Sequence, residues 1–172
     1  AVRRAIAELG YAKPTPVQSA SYRPIRDGKD VIVRSKTGTG KTAAFGVPIL
    51  ERIPDGRRKA SALVMTPTRE LALQVAEEMA ALAKHRDLRV VTVYGGASMG
   101  DKKDKREAGA EIVVGTPGRI YDFIRRKTLK LDEARVFISS FDRPNIRYRI
   151  TQGNGHAREQ LLRFLRSEHP GD

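Results

Sequence analysis

The chain has 172 residues, of which 40% are hydrophobic and 31% are charged, and this composition is typical of a folded globular domain. It contains no cysteine and only three scattered histidines, which excludes disulfides and argues against a zinc cluster. Its 33 Lys and Arg residues exceed its 20 Asp and Glu residues, which gives a net charge of +13. Such an excess points to a polyanion bound through its phosphates, although a well-solvated surface could have the same composition.

No apolar run approaches the roughly 18 residues that a membrane-spanning helix requires, so we expect no membrane partner. The N-terminus lacks the apolar segment of a signal peptide, and we expect it to be the interior of a longer gene product. We also expect the protein to be a cytoplasmic monomer.

Short apolar runs alternate with longer amphipathic stretches along most of the chain. The predicted elements are, in chain order, a strand at 31–33, a helix at 42–52, a strand at 62–65, a helix at 70–84, a strand at 90–93, a polar helix at 99–107, a strand at 112–114, a helix at 119–126, strands at 136–138 and 146–150, a turn at 151–155 and a helix at 157–168. This alternation predicts an α/β fold, with a mainly parallel sheet covered by helices on both faces. Ligands of such sheets bind beyond the carboxyl ends of the strands.

A glycine-rich segment at 35–42 follows the first predicted strand and leads into the first predicted helix. Glycines let backbone N–H groups close around phosphates, and the helix N-terminus adds positive potential. Lys41 would reach the β- and γ-phosphates, and the Thr42 hydroxyl would be the metal ligand for Mg²⁺. The segment therefore predicts a triphosphate site made by Ser35, Thr37, Gly38, Thr39, Gly40, Lys41 and Thr42. The alternatives are a chance Gly-Lys-Thr turn and a dinucleotide fingerprint that starts at Gly38, which no acidic residue at a second strand end supports.

Five short motifs resemble, in their order, those of the first RecA-like domain of DEAD-box RNA helicases. Residues 10–18 are similar to the family's Q motif, 35–42 to its phosphate loop, which tolerates Ser35 at the first position, and 67–72, 95–96 and 116–119 to its RNA-contacting motifs. The resemblance covers about residues 1–136 and implies a three-layer RecA-like P-loop domain that binds ATP or ADP with Mg²⁺.

The same resemblance implies roles for two residues near the N-terminus. The amide of Gln18 can pair with both the exocyclic amine and a ring nitrogen of adenine, and Tyr11 could pack on that base. Without the phosphate loop downstream, Gln18 would be an ordinary surface residue after a proline turn.

The resemblance further implies that single-stranded RNA, or another nucleic acid, is held through its backbone. The implied residues are Pro67, Thr68, Arg69, Gly95, Gly96, Thr116, Pro117, Gly118 and Arg119. Hydroxyls and backbone N–H groups would bind the phosphates, and the arginines would add charge. Residues 67–70 are also an ordinary helix start with Thr68 as N-cap, and 116–118 are also a strand-to-helix turn. We expect weak binding, because only one lobe of the family's two-domain cleft is present.

The acidic motif that the family uses for hydrolysis is not where its pattern requires it. A catalytic acidic pair should follow a buried strand, where one carboxylate holds Mg²⁺ and the other polarises the attacking water. Asp132 and Glu133 follow the half-polar segment 128–131, whereas 135–138 is the better strand. We therefore expect Asp132 and Glu133 to lie in the loop before that strand, and Asp142 is a further weak candidate.

The C-terminal segment resembles a different family. Residues 141–148 and 158–165 are similar to the start of the second RecA-like domain of RecQ DNA helicases. We therefore expect a chimera, with a DEAD-box-like domain at 1–136 and a RecQ-like strand and helix at 137–172 packed into the same domain. A natural divergent helicase fragment is the alternative.

Three functions are compatible with these patterns. The first is an ATP- and RNA-binding module with little or no hydrolysis or unwinding. The second is an active ATP hydrolase or helicase component that uses Asp132 and Glu133, or Asp142. The third is a folded chimera that retains only electrostatic affinity for polyanions.

Overall fold

A computed structural model describes residues 1–94, 109–127 and 129, together with the backbone alone of 135–138 and 150–151. In these ranges the helices are α1 (Val2–Glu8), α2 (Pro16–Arg26), α3 (Lys41–Arg52), α4 (Arg69–Leu82) and α5 (Pro117–Arg125). The strands are β1 (Ala62–Met65), β2 (Val90–Val93), β3 (Ile112–Gly115), β4 (Arg135–Ile138) and β5 (Ile150–Thr151). Over the same part of the chain, no helix is long and apolar enough to cross a membrane.

The strands form one mostly parallel sheet in the order β2-β3-β1-β4-β5. The first four strands in this order are parallel to one another, and β5 is antiparallel to β4. The register places Val93, Gly115, Met65 and Ile138 in one row, which is the carboxyl edge of the parallel strands. Because ligands of such sheets bind beyond this edge, the residues that follow each strand are the first place to look for a site.

Helices cover both faces of the sheet, as the alternating pattern predicts. Ala62 and Val64 of β1 pack in one core with residues of α2, α3 and α4, whereas Leu63 and Met65 pack in a second core with α5. Successive side chains of a strand point to opposite faces, so a strand between two helical layers is apolar at every position. The result is the predicted three-layer α/β fold.

Two helices that the apolar pattern does not predict, α1 and α2, precede the phosphate loop. A capping box begins α2: the Thr15 hydroxyl accepts a hydrogen bond from the Gln18 N–H, and the Gln18 Oε1 accepts one from the Thr15 N–H at 3.0 Å. Pro16 occupies the first helical turn, where its missing N–H costs nothing.

The predicted strand at 31–33 is wrong, because these residues lie in no strand of the sheet. A strand exists only where a neighbour completes its ladder of hydrogen bonds, and the outer side of β4 is occupied by β5 over two residues. Val31 packs against the core, whereas Ile32 remains 66% exposed. The segment leads to the phosphate loop as irregular chain.

Several predictions fall outside the described residues. They are the helices at 99–107 and 157–168, most of the strand at 146–150, most of the turn at 151–155, and the site residues Gly95, Gly96, Asp132, Glu133 and Asp142. The division into segments 1–136 and 137–172 stays a prediction; β4 spans that boundary and pairs with β1.

The helix after the phosphate loop, α3, is packed along α4. Gly46 of α3 is so close to Met79 that a Cβ at position 46 would lie 2.7 Å from its sulfur. Arg86, just beyond α4, donates hydrogen bonds to the carbonyl oxygens of Leu50 (2.8 Å) and Ile53 (2.6 Å) at the end of α3. The two helices therefore run in the same direction. Since α4 starts at the carboxyl edge of β1, the N-terminus of α3 points to the same side.

Candidate functional site

The phosphate loop is a tight turn that ends at the first residue of α3. Gly38 (φ 73°) and Gly40 (φ 77°) both have left-handed backbone conformations, which glycine adopts without strain. Gly40 is the N-cap of α3 and has no side chain with which to cap it. The first N–H groups of α3 are therefore offered to a ligand, in the geometry that favours an anion.

Hydrogen bonds within the loop hold it closed around Lys41. The Lys41 ammonium donates to the carbonyl oxygens of Ser35 (2.9 Å) and Lys36 (2.6 Å). The Thr39 hydroxyl donates to the Lys36 carbonyl at 2.9 Å and lies 2.9 Å from the Ser35 hydroxyl, which is thus the donor of that pair. A triphosphate would compete with these carbonyl oxygens for the same ammonium.

The residues present fit a phosphate-bound Mg²⁺ in part. Thr42 lies in the first turn of α3 and is half-buried, and its hydroxyl would supply one oxygen ligand. Among the described residues, no group of three or more His, Cys, Asp or Glu side chains could hold a metal ion. Mg²⁺ takes much of its coordination from substrate phosphates and water, and a bound ion would neutralise the charge of those phosphates.

Gln18 is tied to the phosphate loop as well as to its own helix. Its Oε1 accepts from the Thr15 N–H, and its Nε2 donates to the Gly40 carbonyl oxygen at 3.2 Å. The Thr15 hydroxyl donates to the Thr39 carbonyl oxygen at 2.9 Å. A primary amide has two donor and two acceptor positions, so Gln18 keeps one of each for a base. Its role as the adenine reader stays a prediction.

Sequence reasoning missed Thr15 as a functional residue. Together with Gln18 it joins the start of α2 to the phosphate loop, because its hydroxyl accepts from the Gln18 N–H and donates to the Thr39 carbonyl oxygen. The pattern Thr-x-x-Gln before an amphipathic stretch is a capping-box signature and could have identified both Thr15 and the start of α2.

A cavity of about 360 Å³ lies beside the phosphate loop, between α1, α2 and α3. Its walls are mostly apolar, and its volume lies within the range of small-ligand sites. It is lined by Ile6, Tyr11, Lys13, Pro14, Gln18, Ser19, Tyr22, Ala43, Ala44 and Val47. The structure thus brings Tyr11 and Gln18, the two residues that the sequence assigns to a base, to one cavity.

The carboxyl edge of the sheet brings two of the predicted RNA-binding motifs together. The Thr66 N–H, just after β1, donates to the Gly115 carbonyl oxygen at 2.9 Å, and the Thr116 N–H donates to the Val93 carbonyl oxygen at 3.1 Å. The ends of β1, β2 and β3 are therefore hydrogen-bonded to one another. Segments 67–69 and 116–119 start at this edge from adjacent strands.

The hydroxyl-bearing residues of these motifs are the N-caps of two helices. Thr68 begins α4, is exposed, and accepts a hydrogen bond from the Leu71 N–H at 3.3 Å. Thr116 begins α5 and makes no side-chain capping bond to the described first turn of that helix. Pro67 and Gly118 are exposed on the same edge, as a backbone-binding surface requires.

Both predicted arginines stack on aromatic rings. The Arg69 guanidinium lies 4.5 Å from the centre of the Tyr94 ring, and that of Arg119 lies 4.9 Å from the centre of the Phe123 ring. Arg119 is also 3.9 Å from the Asp122 carboxylate, and its side chain is only 16% exposed. Stacking holds each charge in place and leaves guanidinium edges for hydrogen bonds. Tyr94 was not a predicted site residue.

The acidic candidates cannot be placed in the described structure, but their neighbouring strand can. Arg135 opens β4 opposite Ala62, and Ile138 ends it at the carboxyl edge. The strand therefore reaches this edge at Ile138, whereas Asp132 and Glu133 come before the strand in chain order. The observed strand has the bounds 135–138 that the sequence pattern favours over a strand at 128–131.

A glycine loop at the start of a helix, a sheet edge with two threonine-capped helices, and three α/β layers together define a RecA-like P-loop domain. Residues 15–160 match the family described as DEAD/DEAH box helicase. Because that match spans most of the chain, the chain belongs to this family.

Relatives from a bacterium and from a eukaryote align with most of this chain. It is 43% identical over 135 residues to the ATP-dependent RNA helicase CshA of Limosilactobacillus reuteri, covering 78% of this chain and 27% of that protein. It is 41% identical over 135 residues to the ATP-dependent RNA helicase eIF4A of Eremothecium gossypii, covering 78% of this chain and 34% of that protein. The chain thus spans about a quarter to a third of the length of these relatives.

Solved structures agree with the fold. A DEAD box protein from Methanococcus jannaschii superposes with a TM-score of 0.72 at 38% identity, over 78% of this chain and 37% of that one. Dbp5 of S. cerevisiae, bound to RNA and ADP BeF3, superposes with a TM-score of 0.72 at 26% identity, over 80% of this chain and 35% of that one.

Proposed function

We propose that this chain is an ATP- and RNA-binding module of a helicase, with little or no hydrolysis or unwinding on its own. The observation that carries the proposal is the N-terminus of α3, which has no side-chain cap and where the Lys41 ammonium bonds to the phosphate loop. Gln18 contacts the same loop and lines a cavity of small-ligand size. Relatives that are named ATP-dependent RNA helicases support it. We propose a monomeric, cytoplasmic protein.

Titration calorimetry with ATP and Mg²⁺ tests the nucleotide site. Lys41→Ala should abolish measurable binding, because it removes the charge that faces the β- and γ-phosphates. Lys59→Ala is the matched control, since Lys59 is an exposed lysine that lies outside the phosphate loop and the cavity lining. Equal ATP affinity in wild type and Lys41→Ala would contradict the proposal. Indistinguishable titrations with ATP and GTP would contradict adenine reading by Gln18.

We further propose weak, sequence-independent binding of single-stranded RNA along the carboxyl edge. Support comes from the exposed Thr68 and Arg69 and from the converging segment 116–119. Binding through phosphates releases counterions, so the affinity should fall steeply as salt is raised.

Fluorescence anisotropy with labelled single strands of unrelated sequence measures this interaction. Arg69→Ala and Arg119→Ala should each weaken all strands alike and reduce the salt dependence by about one counterion. Arg3→Ala, an exposed arginine on α1, is the control. An affinity that is independent of salt would refute the proposed mode.

We also propose that residues 138–172 derive from the second domain of a RecQ-type helicase and were joined to a DEAD-box first domain. The resemblance of residues 141–148 and 158–165 supports this origin. The alternative, a natural divergent member, is favoured by the extent of the family match to residue 160. A contiguous natural gene that encodes residues 130–172 unchanged would contradict the chimera.

A further inference from the structure

The N-terminal helix α1 is anchored to the domain by its apolar side. Val2 and Ala5 are buried, and Ile6 both packs against the core and lines the cavity. The chain leaves α1 through Gly10, whose φ of 74° is left-handed, and the Tyr11 N–H donates to the Ile6 carbonyl oxygen at 3.2 Å. The position of Tyr11 is therefore set by the end of α1.

A single carboxylate clamps this end of α1 to the chain just beyond α4. Glu8 accepts hydrogen bonds from Lys84 at 2.8 Å and from Arg4 at 3.1 Å, and its Oε1 lies 2.9 Å from His85 Nε2. The hydrogen bond from Lys84, with smaller contributions from His85 and Arg4, lowers the pKa of Glu8 to about 2. Glu8 is therefore ionised throughout the neutral range.

A second contact joins the same two parts of the molecule. The Tyr11 hydroxyl donates to Glu78 Oε1 on α4 at 3.4 Å. Burial, and then the charge of Glu78, raises the pKa of the Tyr11 hydroxyl above its ordinary value, so it stays protonated and remains a donor. Tyr11 is 40% exposed and forms part of the cavity wall.

From Tyr11 the chain runs directly to the phosphate loop. Lys13 and Pro14 line the cavity, and Thr15 donates to the Thr39 carbonyl oxygen of the loop. The segment 11–15 thus spans the distance from the Glu8 clamp to the phosphate site, with the cavity beside it.

We propose that Glu8 is a positioning residue for nucleobase binding: by clamping α1 to the end of α4, it holds Tyr11 and the segment 11–15 against the cavity. This inference rests on the proposed nucleotide binding and adds to it a residue that does not touch the ligand. The phosphate loop is joined to this segment by the bond from Thr15 to the Thr39 carbonyl oxygen, but it also has its own internal hydrogen bonds, so we expect the phosphate site to depend less on the clamp than the base site does.

The test compares two ligands that share phosphates and differ in the base. ATP and inorganic triphosphate, each with Mg²⁺, are titrated into the full chain and its variants by calorimetry. Glu8→Gln keeps the size of the side chain but removes its charge, and it should lower the ATP affinity about threefold to tenfold while changing the triphosphate affinity less than about twofold.

Lys84→Met breaks the clamp from the other side and leaves α1 unchanged. It should give a selective loss in the same direction but smaller, because His85 still contacts Glu8, and the double variant should lose less than the sum, because both changes remove the bond between Glu8 and Lys84. Glu77→Gln is the matched control, since Glu77 is an exposed glutamate of α4 that lies outside the clamp. If Glu8→Gln fails to fold in a thermal scan, Lys84→Met carries the same test.

The outcomes separate this inference from the proposed function. An unchanged ratio of ATP to triphosphate affinity in the variants overturns the positioning role. If the ratio is unchanged because both affinities fall equally, the variants are destabilised in general. A wild-type chain that binds neither ligand refutes nucleotide binding itself, and the inference with it. A wild-type chain that binds triphosphate but gains nothing from the base refutes base recognition, and the clamp with it, but leaves the phosphate site standing.

Discussion

Gly115 shows how closely single residues are constrained at the carboxyl edge. A Cβ at this position would lie 2.2 Å from the Val93 carbonyl oxygen and 2.5 Å from Val93 Cγ2, so β2 and β3 can pair in the observed register only if residue 115 has no side chain. The Val93 carbonyl oxygen also accepts the Thr116 N–H, which places the start of α5. One glycine therefore determines both the sheet spacing and the position of a predicted RNA-binding segment.

We predict that Gly115→Ala destabilises the domain by about 3 kcal/mol, because overpacking of a well-packed core costs this order of free energy. Urea unfolding of both proteins measures the difference. Gly118→Ala is the control: nothing lies within 4 Å of a Cβ there, so the added methyl group in a helix should be neutral or slightly stabilising. Equal stability of wild type and Gly115→Ala would mean that β2 and β3 are not packed as described.

At the residue scale, sequence patterns identify which residues meet but not how each one is used. Tyr11 and Gln18 do reach one cavity, yet the Gln18 amide is already bonded to Thr15 and Gly40. Glu111 was unpredictable for a similar reason. It is fully buried and accepts the N–H groups of Arg58 (2.6 Å) and Arg89 (2.9 Å), a contact between segments distant in the sequence.

At the scale of elements, an arginine from another part of the chain binds the last carbonyl groups of α2 and of α3. Arg86 donates to Leu50 and Ile53 at the end of α3 and to Asp55 Oδ1 at 2.7 Å, with only 13% of its side chain exposed. Arg52 donates in the same way to the Ile25 and Arg26 carbonyl oxygens at the end of α2. A cation at a helix C-terminus satisfies the last carbonyls and complements the dipole.

We predict that Arg86→Ala lowers the free energy of unfolding by about 2–3 kcal/mol, because two charge-assisted hydrogen bonds to backbone carbonyls are lost in a partly buried site. Arg86→Lys should recover little of this, since an ammonium cannot reproduce the guanidinium fork. Denaturant unfolding measures both variants, with the exposed Arg3→Ala as reference. Full recovery in Arg86→Lys would show that charge alone, and not the fork, holds the end of α3.

The elements that sequence patterns predict correctly are those whose local pattern and tertiary role coincide. Residues 62–65, 90–93 and 112–115 are strands because they are apolar and have neighbours on the sheet. Residues 31–33 have the same local pattern but no neighbour in the sheet, so the strand does not form. For α2 the local pattern argues against a helix, because the segment is polar and contains Pro24, but the helix forms and packs against α3.

At the scale of the whole molecule, the net charge of +13 is not all available to a polyanion. Arg52 and Arg86 cap helices, and the Arg58 guanidinium is bonded to both carboxylate oxygens of Asp87 at 2.8 and 2.9 Å. Some of the basic excess is therefore structural. In the proposed mode of RNA binding, the charges that act are those at the carboxyl edge, such as Arg69, so the overall charge alone would overestimate the strength of that binding.

The catalytic competence of the chain is also a property of the whole molecule. Hydrolysis in this family needs an acidic pair beside the phosphate loop, and unwinding needs ATP-gated closure against a second domain. Here β4 reaches the carboxyl edge at Ile138 and is followed by Ser139 and Ser140, while Asp132 and Glu133 precede the strand in the sequence. The chain also covers only about a quarter to a third of its helicase relatives.

We therefore predict that ATP turnover is absent or far below that of a complete helicase, with or without RNA. An arginine finger from a second domain is worth about 10³ to 10⁵ in rate, and these 172 residues assayed alone would work without that contribution. A steady-state phosphate-release assay measures turnover, with Lys41→Ala as the background control. The competing hypothesis is that Asp132 and Glu133 are the catalytic acidic pair. It requires 128–131 to be a buried strand, which would bury the charge of Lys130 at a high cost in free energy. Turnover at an ordinary enzymatic rate that disappears in Glu133→Gln would establish that hypothesis, and the chain would then be an ATPase in its own right.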